Sequence, residues 1–261
     1  MKMESSISAS AWSAPPSTIR LDRDEVHIWQ AELEESSAQI YRYLDTLAEE
    51  EKSRAERLYF QRDRHRFIIA HGILRAILGL YLDRAPHVLS FCYGSHGKPA
   101  LEFEPVADAI HFNISHSHGV ALYAIARGRE VGIDVERNRR EVDADQIAAR
   151  FFSPREIATL RGLPADLRKY AFFACWTRKE AYIKARGEGL SLPLDQFDVS
   201  LIPGEPAALL CTRPDPDEAG RWSLRELALA SGYVAALAVE GRGWSLSCWR
   251  WPRPHTYQPR Y

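Results

Sequence analysis

The chain has 261 residues, of which 46% are hydrophobic, and a formal net charge of −1 at pH 7. This length and apolar content allow one large core or two modest ones, which argues against wholesale disorder. The near-neutral charge gives no overall field toward nucleic acid or an anionic membrane, so any basic site must be local. We therefore expect neither nucleic acid nor a membrane as a partner.

The pattern of cysteines and the lack of a recognisable signal peptide predict a cytoplasmic protein. The four cysteines are scattered, with no C-x-x-C pair and no Cys/His set at zinc spacing, which predicts buried free thiols in a reducing compartment. The N-terminal segment lacks the apolar core of a signal peptide. The most apolar helical stretch, residues 67–82, is interrupted by His71 and Arg75 and is expected to be too short to span a bilayer.

The first half of the chain predicts a strand, then helices, then further strands. Residues 1–20 are expected to form a flexible tail. The predicted elements that follow are a strand at 26–31, a helical region at about 37–54, a long helix through 64–78, a strand at 89–93 and an apolar strand at 120–126.

The second half predicts the same succession of elements. Ser153 followed by Pro154 and by Glu156 is the pattern of a capping box that begins a helix. The predicted elements are a strand at 132–136, helices at 144–150, from 153 and at 172–185, further segments at 197–201 and 222–229, and an apolar strand at 233–239. The last helix has no internal Gly or Pro and is expected to stop at Gly187.

The two halves can be interpreted as weak repeats of one α+β unit. Residues 119–126 resemble 232–239, and residues 67–76 can be laid on 171–180. That overlay puts Glu180 on Ala76, so the acid exists in one half only. The repeat is short and apolar, which leaves chance similarity as an alternative.

These repeats predict an α+β fold of two similar halves related by pseudo-twofold symmetry, with the active site in the cleft between them. The expected division is an N-terminal half at 21–130, a C-terminal half with the acidic residues at 131–245, and a C-terminal tail at 246–261.

One helix carries a carboxylate and an ammonium group beside a large aromatic ring. Trp176, Glu180 and Lys184 are spaced four residues apart, so they share one helix face. Taken alone, a surface Glu–Lys pair beside a core tryptophan is the more ordinary interpretation. A second acidic element changes that weighting.

The second acidic element is the strand at 132–136. Side chains alternate along a strand, so Ile133 and Val135 face one side while Asp134 and Glu136 face the other. Two neighbouring carboxylates repel and need solvent or a cation; a solvated strand face is the ordinary explanation. If Glu180 lies close, the three carboxylates suit Mg²⁺, a hard ion that prefers oxygen ligands.

Basic groups occur in three local clusters. Arg66 is near the start of the first long helix, Lys98 lies in a glycine-flanked turn, and His116 is flanked by Ser115 and Ser117. Each cluster alone is weak, but together they could donate to several phosphate groups. A metal with basic groups around a diphosphate is the layout that phosphoryl transfer requires. The sequence has no P-loop, dinucleotide-binding or G-x-S-x-G motif, which disfavours those enzyme classes.

Five short segments, in this order, resemble the 4′-phosphopantetheinyl transferases of the Sfp type. They are Gly97-Lys98-Pro99, Phe112-Asn113-Ile114-Ser115-His116-Ser117, Gly132-Ile133-Asp134-Val135-Glu136, Phe151-Phe152-Ser153, and Trp176-Thr177-Arg178-Lys179-Glu180-Ala181 continuing through Lys184 to Gly189-Leu190-Ser191-Leu192-Pro193. Each segment is weak alone, whereas the ordered set is specific. The resemblance covers about residues 29–239. The length suits this type better than the short, trimeric holo-acyl-carrier-protein synthase type.

The resemblance implies two similar α+β halves with coenzyme A bound between them. It implies transfer of 4′-phosphopantetheine from coenzyme A to a serine of an apo acyl or peptidyl carrier protein, with release of adenosine 3′,5′-bisphosphate. The carrier would belong to a polyketide, non-ribosomal peptide or fatty-acid synthase. A monomer is also expected from the resemblance.

The resemblance also implies roles for individual residues. Asp134, Glu136 and Glu180 would hold Mg²⁺ against the diphosphate. Glu180 would act as the base that activates the carrier serine, directly or through water, and Lys184 would stabilise the leaving group. Trp176 would pack the helix and orient Glu180. The expected coenzyme A ligands are Arg66, Lys98, Ser115, His116 and Lys184.

Two other functions compete with this interpretation. A Mg²⁺ nuclease of the D/E-x-K form needs lysine two positions after a strand carboxylate, but Glu136 is followed by Arg137 and Asn138. A non-catalytic module that binds a nucleotide, coenzyme A or a carrier protein could use the same cleft. The presence of all three acids with Lys184 argues against such a module.

Overall fold

The computed structural model describes residues 12–102, 108–138, 143–230 and 232–252, which form a mixed α+β fold. The helices are α1 (Ser37–Thr46), α2 (Glu49–Glu56), α3 (Gln61–Leu82), α4 (Ala144–Phe151), α5 (Pro154–Gly162), α6 (Ala165–Arg186) and α7 (Glu218–Arg221). The strands are β1 (Glu25–Glu32), β2 (Phe91–Tyr93), β3 (Pro99–Leu101), β4 (Ile110–Ser117), β5 (Val120–Arg127), β6 (Val131–Arg137), β7 (Phe197–Val199), β8 (Leu209–Thr212), β9 (Trp222–Leu227), β10 (Tyr233–Glu240) and β11 (Ser245–Arg250).

The two halves repeat one order of elements and one order of strands. A strand and three helices are followed by a short two-stranded hairpin and two longer strands in each half. The N-terminal sheet has the order β11-β1-β5-β4 and the C-terminal sheet has the order β6-β10-β9. Apart from β11, the second order repeats the first, with β6, β10 and β9 in the places of β1, β5 and β4. The predicted repeat is therefore visible in the topology.

The long helices α3 and α6 occupy equivalent places in the two halves. Each has 22 residues, and the overlay of residues 67–76 on 171–180 also aligns their first and last residues. Helix α6 ends at Gly187, as predicted, where φ is +70° and the amide donates to the carbonyls of Ile183 and Lys184. Only glycine adopts that left-handed conformation without steric cost.

The fold has four layers, in the order helices, sheet, sheet and helices, and a part of the core lies at each of the three contacts between layers. Strand β5 shows the alternation: Ala121, Tyr123 and Ile125 join the core beneath α3, while the residues between them face the second sheet. Strand β10 mirrors it, since Val234 and Ala236 pack in the core beneath α6. The intervening residues of both sheets form a third, apolar core between the sheets.

Several local predictions hold and several are corrected. The Ser153–Glu156 capping box is present, with both of its reciprocal hydrogen bonds. The helical region predicted from about residue 37 is two helices, separated at Leu47 and Ala48. All four cysteines are free, as expected, but only Cys175 and Cys248 are buried; Cys211 is partly exposed and Cys92 is exposed.

Helix α3 is longer than the sequence suggested. By length and composition alone it could cross a membrane, so the expectation that it is too short was wrong. In this fold 56% of its apolar window is buried inside the protein. Buried helices of soluble proteins pass the same test, so the helix is explained by its place in the core.

The predicted tails need correction at both ends. Residues 245–250 form β11, which pairs in parallel with β1, so the C-terminal tail cannot begin at 246. At the N-terminus, Trp12 is buried and its Nε1 donates to the carbonyl of Ala228, while Ser13 bridges to Trp249. Residues 1–11 and 253–261 lie outside the described residues. After the C-terminal half, the chain thus returns to the N-terminal sheet and adds β11 to it. The predicted division into halves at 21–130 and 131–245 did not include this strand.

Candidate active site

The site forms where β6 and α6 approach each other most closely. A Cβ atom at Gly132 would lie 2.2 Å from the carbonyl oxygen of Ala181 and 2.3 Å from the amide nitrogen of Ala185. The absence of a side chain at Gly132 therefore sets the spacing between strand and helix. Two residues further along β6, Asp134 faces the same helix and meets Lys184.

Asp134 and Lys184 form an ion pair where β6 of the C-terminal half meets β4 of the N-terminal half. The Nζ atom of Lys184 lies 2.5 Å from Oδ1 of Asp134 and 3.2 Å from Oγ of Ser115. Ser115 Oγ in turn donates to Asp134 Oδ1 at 2.9 Å. Asp134 is only 3% exposed, so its charge depends on these partners rather than on solvent.

Glu136 is held by a hydroxyl group in the same way. Ser117 Oγ donates to Glu136 Oε2 at 3.0 Å and accepts from the amide of Arg137 at 3.1 Å. Asp134 and Glu136 face α6 and the cleft, while Ile133 and Val135 join the core between the sheets. The alternation predicted for this strand is confirmed, although Asp134 is buried rather than solvated.

Glu180 has an unusually high proton affinity for a carboxyl group. Desolvation and the negative charges of Asp134 and Glu136 raise its pKa to about 7, against the opposing effect of Lys184. Glu180 is thus close enough to both strand acids to feel their charges. A carboxyl group with a pKa near neutrality can exchange a proton with substrate at physiological pH.

The donor set of this site suits a hard cation. Oδ2 of Asp134 is buried and has no hydrogen-bond partner, which is costly for a carboxylate oxygen. A Mg²⁺ ion would satisfy that oxygen and reduce the repulsion among the three carboxylates. In the described parts of the chain, no three carboxylate, imidazole or thiol groups already converge at metal-binding distance. Asp134, Glu136 and Glu180 supply the oxygen donors that such an ion prefers.

Basic side chains from α3, β4 and α6 lie close to the acids. The His116 side chain reaches the cleft surface, but surrounding protein partly desolvates its ring. That desolvation and the positive charges of His71, Lys184 and Arg66 lower the pKa of His116. These four side chains from α3, β4 and α6 are therefore near one another. Arg66 also lies 3.7 Å from Glu34 Oε1.

Lys98 lies at the other end of β6 from Glu136. Its Nζ atom contacts Glu130 Oε2 at 2.6 Å and the carbonyls of Val131 and Ala185 at 3.3 and 2.7 Å. Burial would raise the pKa of Glu130, but hydrogen bonding to His111 and the charge of Lys98 outweigh it and lower the pKa to about 2. The ammonium group thus has three partners, and it links the N-terminal hairpin to the end of α6.

Trp176 packs within the C-terminal half. Its ring makes an edge contact with Phe151, with centroids 5.7 Å apart, and is near-parallel to Phe172 at 6.4 Å. This placement agrees with the structural role expected of it.

The sequence analysis named Asn113 only as part of the motif around His116, and it missed His71 as a member of this region. Nδ1 of His71 lies 3.1 Å from Glu51 Oε1, and its ring stacks on Phe67, so the imidazole is fixed beside His116. Asn113 Oδ1 accepts from the amide of Ile133. The alternation of Asn113, Ser115 and Ser117 was a signal for Asn113, whereas His71 inside an apolar helix gave only the interruption noted above.

Comparison with known proteins identifies the family. A family profile described as 4′-phosphopantetheinyl transferase superfamily matches residues 130–238. A second, described as 4′-phosphopantetheinyl transferase, N-terminal, matches residues 29–127. The boundary between the two matches coincides with the change from the N-terminal to the C-terminal half.

Two curated relatives cover much of the chain. The 4′-phosphopantetheinyl transferase HetI of Nostoc sp. (strain PCC 7120) is 41% identical over 240 residues, which are 92% of this chain and 98% of HetI. The 4′-phosphopantetheinyl transferase Sfp of Bacillus subtilis (strain 168) is 32% identical over 160 residues, 61% of this chain and 69% of Sfp. The chain belongs to the 4′-phosphopantetheinyl transferase superfamily. Within it the similarity is to the Sfp-like type, and the protein is an enzyme; a non-catalytic module is not favoured.

Proposed function

We propose that this enzyme transfers 4′-phosphopantetheine from coenzyme A to a serine of an apo acyl or peptidyl carrier protein in a Mg²⁺-dependent reaction. The products would be the holo carrier protein and adenosine 3′,5′-bisphosphate. The observation that carries the proposal is the grouping of Asp134, Glu136, Glu180 and Lys184 in the cleft of a chain from this superfamily. Three acids and one ammonium group suit a metal-bound diphosphate.

Coenzyme A would bind along the cationic side of the cleft. Arg66, His116 and Lys184 are near one another there, with His71 beside them. Cationic groups bind phosphate oxygens by charge-assisted hydrogen bonds. Lys98 and Ser115 belong to the same proposal, but each already has three polar partners, so contact with coenzyme A would replace one of those bonds.

Mg²⁺ would be held by Asp134, Glu136 and Glu180. When bound, the ion supplies positive charge that neutralises the diphosphate and stabilises the charge that develops on its oxygens. The buried, unpartnered Oδ2 of Asp134 supports this assignment. Release of Lys184 from Asp134 would free the ammonium group for the diphosphate.

Glu180 would accept the proton of the carrier serine. The serine oxygen then forms a bond to the phosphorus that bears the pantetheine group, and the bond from that phosphorus to the bridging oxygen of the diphosphate breaks. The electron pair of the broken bond leaves on adenosine 3′,5′-bisphosphate, where Lys184 stabilises the added charge. In the metal-free protein, the raised pKa of Glu180 gives this carboxyl group a higher proton affinity than an ordinary one.

The wider setting of the enzyme is also a proposal. We infer a cytoplasmic monomer that acts on a carrier domain of a polyketide, non-ribosomal peptide or fatty-acid synthase. The four free cysteines agree with a reducing compartment. Cell fractionation and light scattering of the purified chain test the location and the monomer.

Intact-mass spectrometry tests the central proposal. Purified protein is incubated with coenzyme A, Mg²⁺ and apo carriers of each synthase type, with Glu180→Gln and an EDTA-treated sample in parallel. One carrier type should gain the mass of one phosphopantetheine with wild-type protein, with little gain in the other two samples. A carrier whose acceptor serine is changed to alanine should gain none.

The outcomes separate the activity from the residue assignment. No gain on any carrier type would contradict the proposed reaction. A gain at full rate with Glu180→Gln would retain the reaction and remove Glu180 as the base. Calorimetric titration with coenzyme A checks that Glu180→Gln still binds the co-substrate.

A further inference from the structure

Strands β4 and β6 meet through side chains rather than through backbone hydrogen bonds. The amides of Ile133, Val135 and Arg137 donate to Asn113 Oδ1, Ser115 Oγ and Ser117 Oγ at 2.9, 3.3 and 3.1 Å. Alternate side chains of β4 thus accept hydrogen bonds from alternate amides of β6, and the residue numbers increase in the same direction along both strands. We call this contact the β4–β6 seam; it joins the edges of the two sheets and contains both strand acids.

The two serines of the seam make one repeated pattern of hydrogen bonds. Ser115 donates to Asp134 and accepts from the amide of Val135. Ser117 donates to Glu136 and accepts from the amide of Arg137. A hydroxyl group has one proton and two lone pairs. Because the amide occupies a lone pair, the proton remains for the carboxylate, and each acid receives a donor; Nδ1 of His118 is a longer second contact of Ser117, at 3.4 Å.

The seam also explains how a strand on an edge can carry fixed carboxylates. Among the described strands, β6 has one backbone partner, β10, and the seam satisfies the amides on its other side. Ser115 and Ser117 are each 7% exposed, so water does not replace these bonds easily. The carboxylate positions on β6 are therefore set by residues of the other half of the molecule.

We propose that Ser117 is a positioning residue for the metal site, acting through Glu136, and that Ser115 acts likewise through Asp134. The inference rests on the proposed Mg²⁺ site of the proposed function. Groups that hydrogen-bond to metal ligands fix their orientation, and their loss commonly lowers metal affinity about 10- to 100-fold. Ser117 is the sharper test, because Ser115 is itself a proposed coenzyme A ligand that contacts Lys184, whereas the further side-chain contact of Ser117 is Nδ1 of His118 at 3.4 Å.

Direct measurement of Mn²⁺ binding tests the role of Ser117. Mn²⁺ replaces Mg²⁺ as an electron paramagnetic resonance probe, and the free ion is titrated against wild type, Ser117→Ala and Ser117→Thr in the presence of coenzyme A. We expect about 10- to 100-fold weaker binding for Ser117→Ala and affinity within about threefold of wild type for Ser117→Thr, which keeps the hydroxyl. Ser223→Ala is the matched control, since that strand serine donates to the carbonyl of Gly241.

A second measurement separates positioning from misfolding. The rate of phosphopantetheine transfer is followed against Mg²⁺ concentration for the same variants. For a positioning role, Ser117→Ala needs more Mg²⁺ for half its maximal rate, and high Mg²⁺ restores most of kcat; a misfolded protein is not restored.

The possible results distinguish this inference from the proposed function. Wild-type affinity in Ser117→Ala, equal losses in Ser117→Ala and Ser223→Ala, or failure of Ser117→Thr to restore binding would each overturn the positioning role while the metal site stands. Absence of specific Mn²⁺ binding by the wild type would overturn the metal site and the inference together.

Discussion

Helices α3 and α6 form matching buried ion pairs in the two halves of the molecule. Arg75 of α3 pairs with Glu51 and donates to the carbonyls of Pro86 and Leu89. Lys179 of α6 pairs with Glu156 and donates to the carbonyls of Leu194 and Phe197. The overlay of the two helices places Arg75 on Lys179, and each acid also accepts from the backbone amide that begins its own helix.

The halves differ where the C-terminal half carries its charged site. The strand pairing makes Trp29 the equivalent of Asp134 and Ala31 the equivalent of Glu136. The overlay of α3 on α6 makes Ala76 the equivalent of Glu180 and Leu80 the equivalent of Lys184. All four N-terminal residues are apolar; Trp29 and Ala31 belong to the core beneath α3, and Leu80 packs against it. The same scaffold therefore holds an apolar core in one half and the candidate site in the other.

The edges of the sheets explain why only one half carries the site. The outer edge of β1 is closed by β11, while the equivalent edge of β6 meets β4 through the seam. Charged side chains on β1 would have no serine donors of this kind beside them. The comparison shows that the buried ion pairs maintain the repeated scaffold, while the seam allows charge on one of its two copies.

The largest expected effect is on the rate, from Glu180→Gln. Removal of a general base typically slows a reaction about 10²- to 10⁴-fold, so we expect a loss of that order in kcat with coenzyme A binding retained. The matched control is Ala76→Gln at the equivalent place on α3, which should change the rate less than about threefold. Stopped assays of holo carrier formation provide the measurement. Equal losses in both variants would show that the two places do not differ in function.

The next largest effect is on stability, from loss of either buried cation. Removing one partner of a buried ion pair leaves the other charge without compensation and typically costs about 3–5 kcal/mol. Lys179→Met and Arg75→Met should each lower the free energy of unfolding by about that amount, as measured by urea denaturation. If one variant loses less than about 1 kcal/mol while the other loses the full amount, the two pairs do not play equivalent roles.

Local and periodic signals in the sequence predicted much of this architecture. The capping box at Ser153 and Glu156, the end of α6 at Gly187, and the alternation that directs Asp134 and Glu136 away from the core all depend on neighbouring residues. The overlay of the two long helices was also readable, because both copies keep their apolar positions.

Features made by distant parts of the chain could not be predicted in the same way. Strand β11 has an alternating pattern, but its partner β1 lies more than 200 residues earlier, and the proline-rich residues after it suggested a tail. Lys98 was expected to meet phosphate, whereas Glu130 and the end of α6 surround its ammonium group. A side chain's free capacity for hydrogen bonds depends on such contacts, which spacing does not reveal.

A smaller effect is expected from pH on the metal-free protein. The pKa of Glu180 in the folded protein, about 7, lies above its ordinary value of 4.5. The folded state therefore binds this proton more tightly, and the associated stability is present at low pH and lost as pH rises from about 4.5 to 7. Because Glu180 is partly exposed, we expect a loss of about 2–3 kcal/mol rather than the full value of the shift.

Denaturation in EDTA at several pH values tests this dependence. The difference in unfolding free energy between wild type and Glu180→Gln should change by that amount between pH 5 and pH 8, with wild type relatively less stable at pH 8. A constant difference would show that burial and the two strand acids do not raise the pKa of Glu180 in the folded protein.

The smallest effect on stability is expected where β6 and α6 touch. In Gly132→Ala the new Cβ meets backbone atoms of Ala181 and Ala185 that cannot rotate away, so strand and helix must separate. Overpacking of this kind typically costs about 1–3 kcal/mol. Gly162→Ala is the matched control, because its Cβ would meet nothing within 4 Å and alanine favours the helix, so stability should be unchanged or slightly higher.

Separation at Gly132 should also affect activity, because it moves Asp134 away from Lys184. Their contact of 2.5 Å depends on the close approach of strand and helix one turn away. We expect kcat of Gly132→Ala to fall by more than the small loss of stability would suggest, while Gly162→Ala keeps the wild-type rate. Stable, fully active Gly132→Ala would mean that α6 can shift without disturbing the acids, and then Ser115 and Ser117 of the seam, rather than the helix, determine where the carboxylates lie.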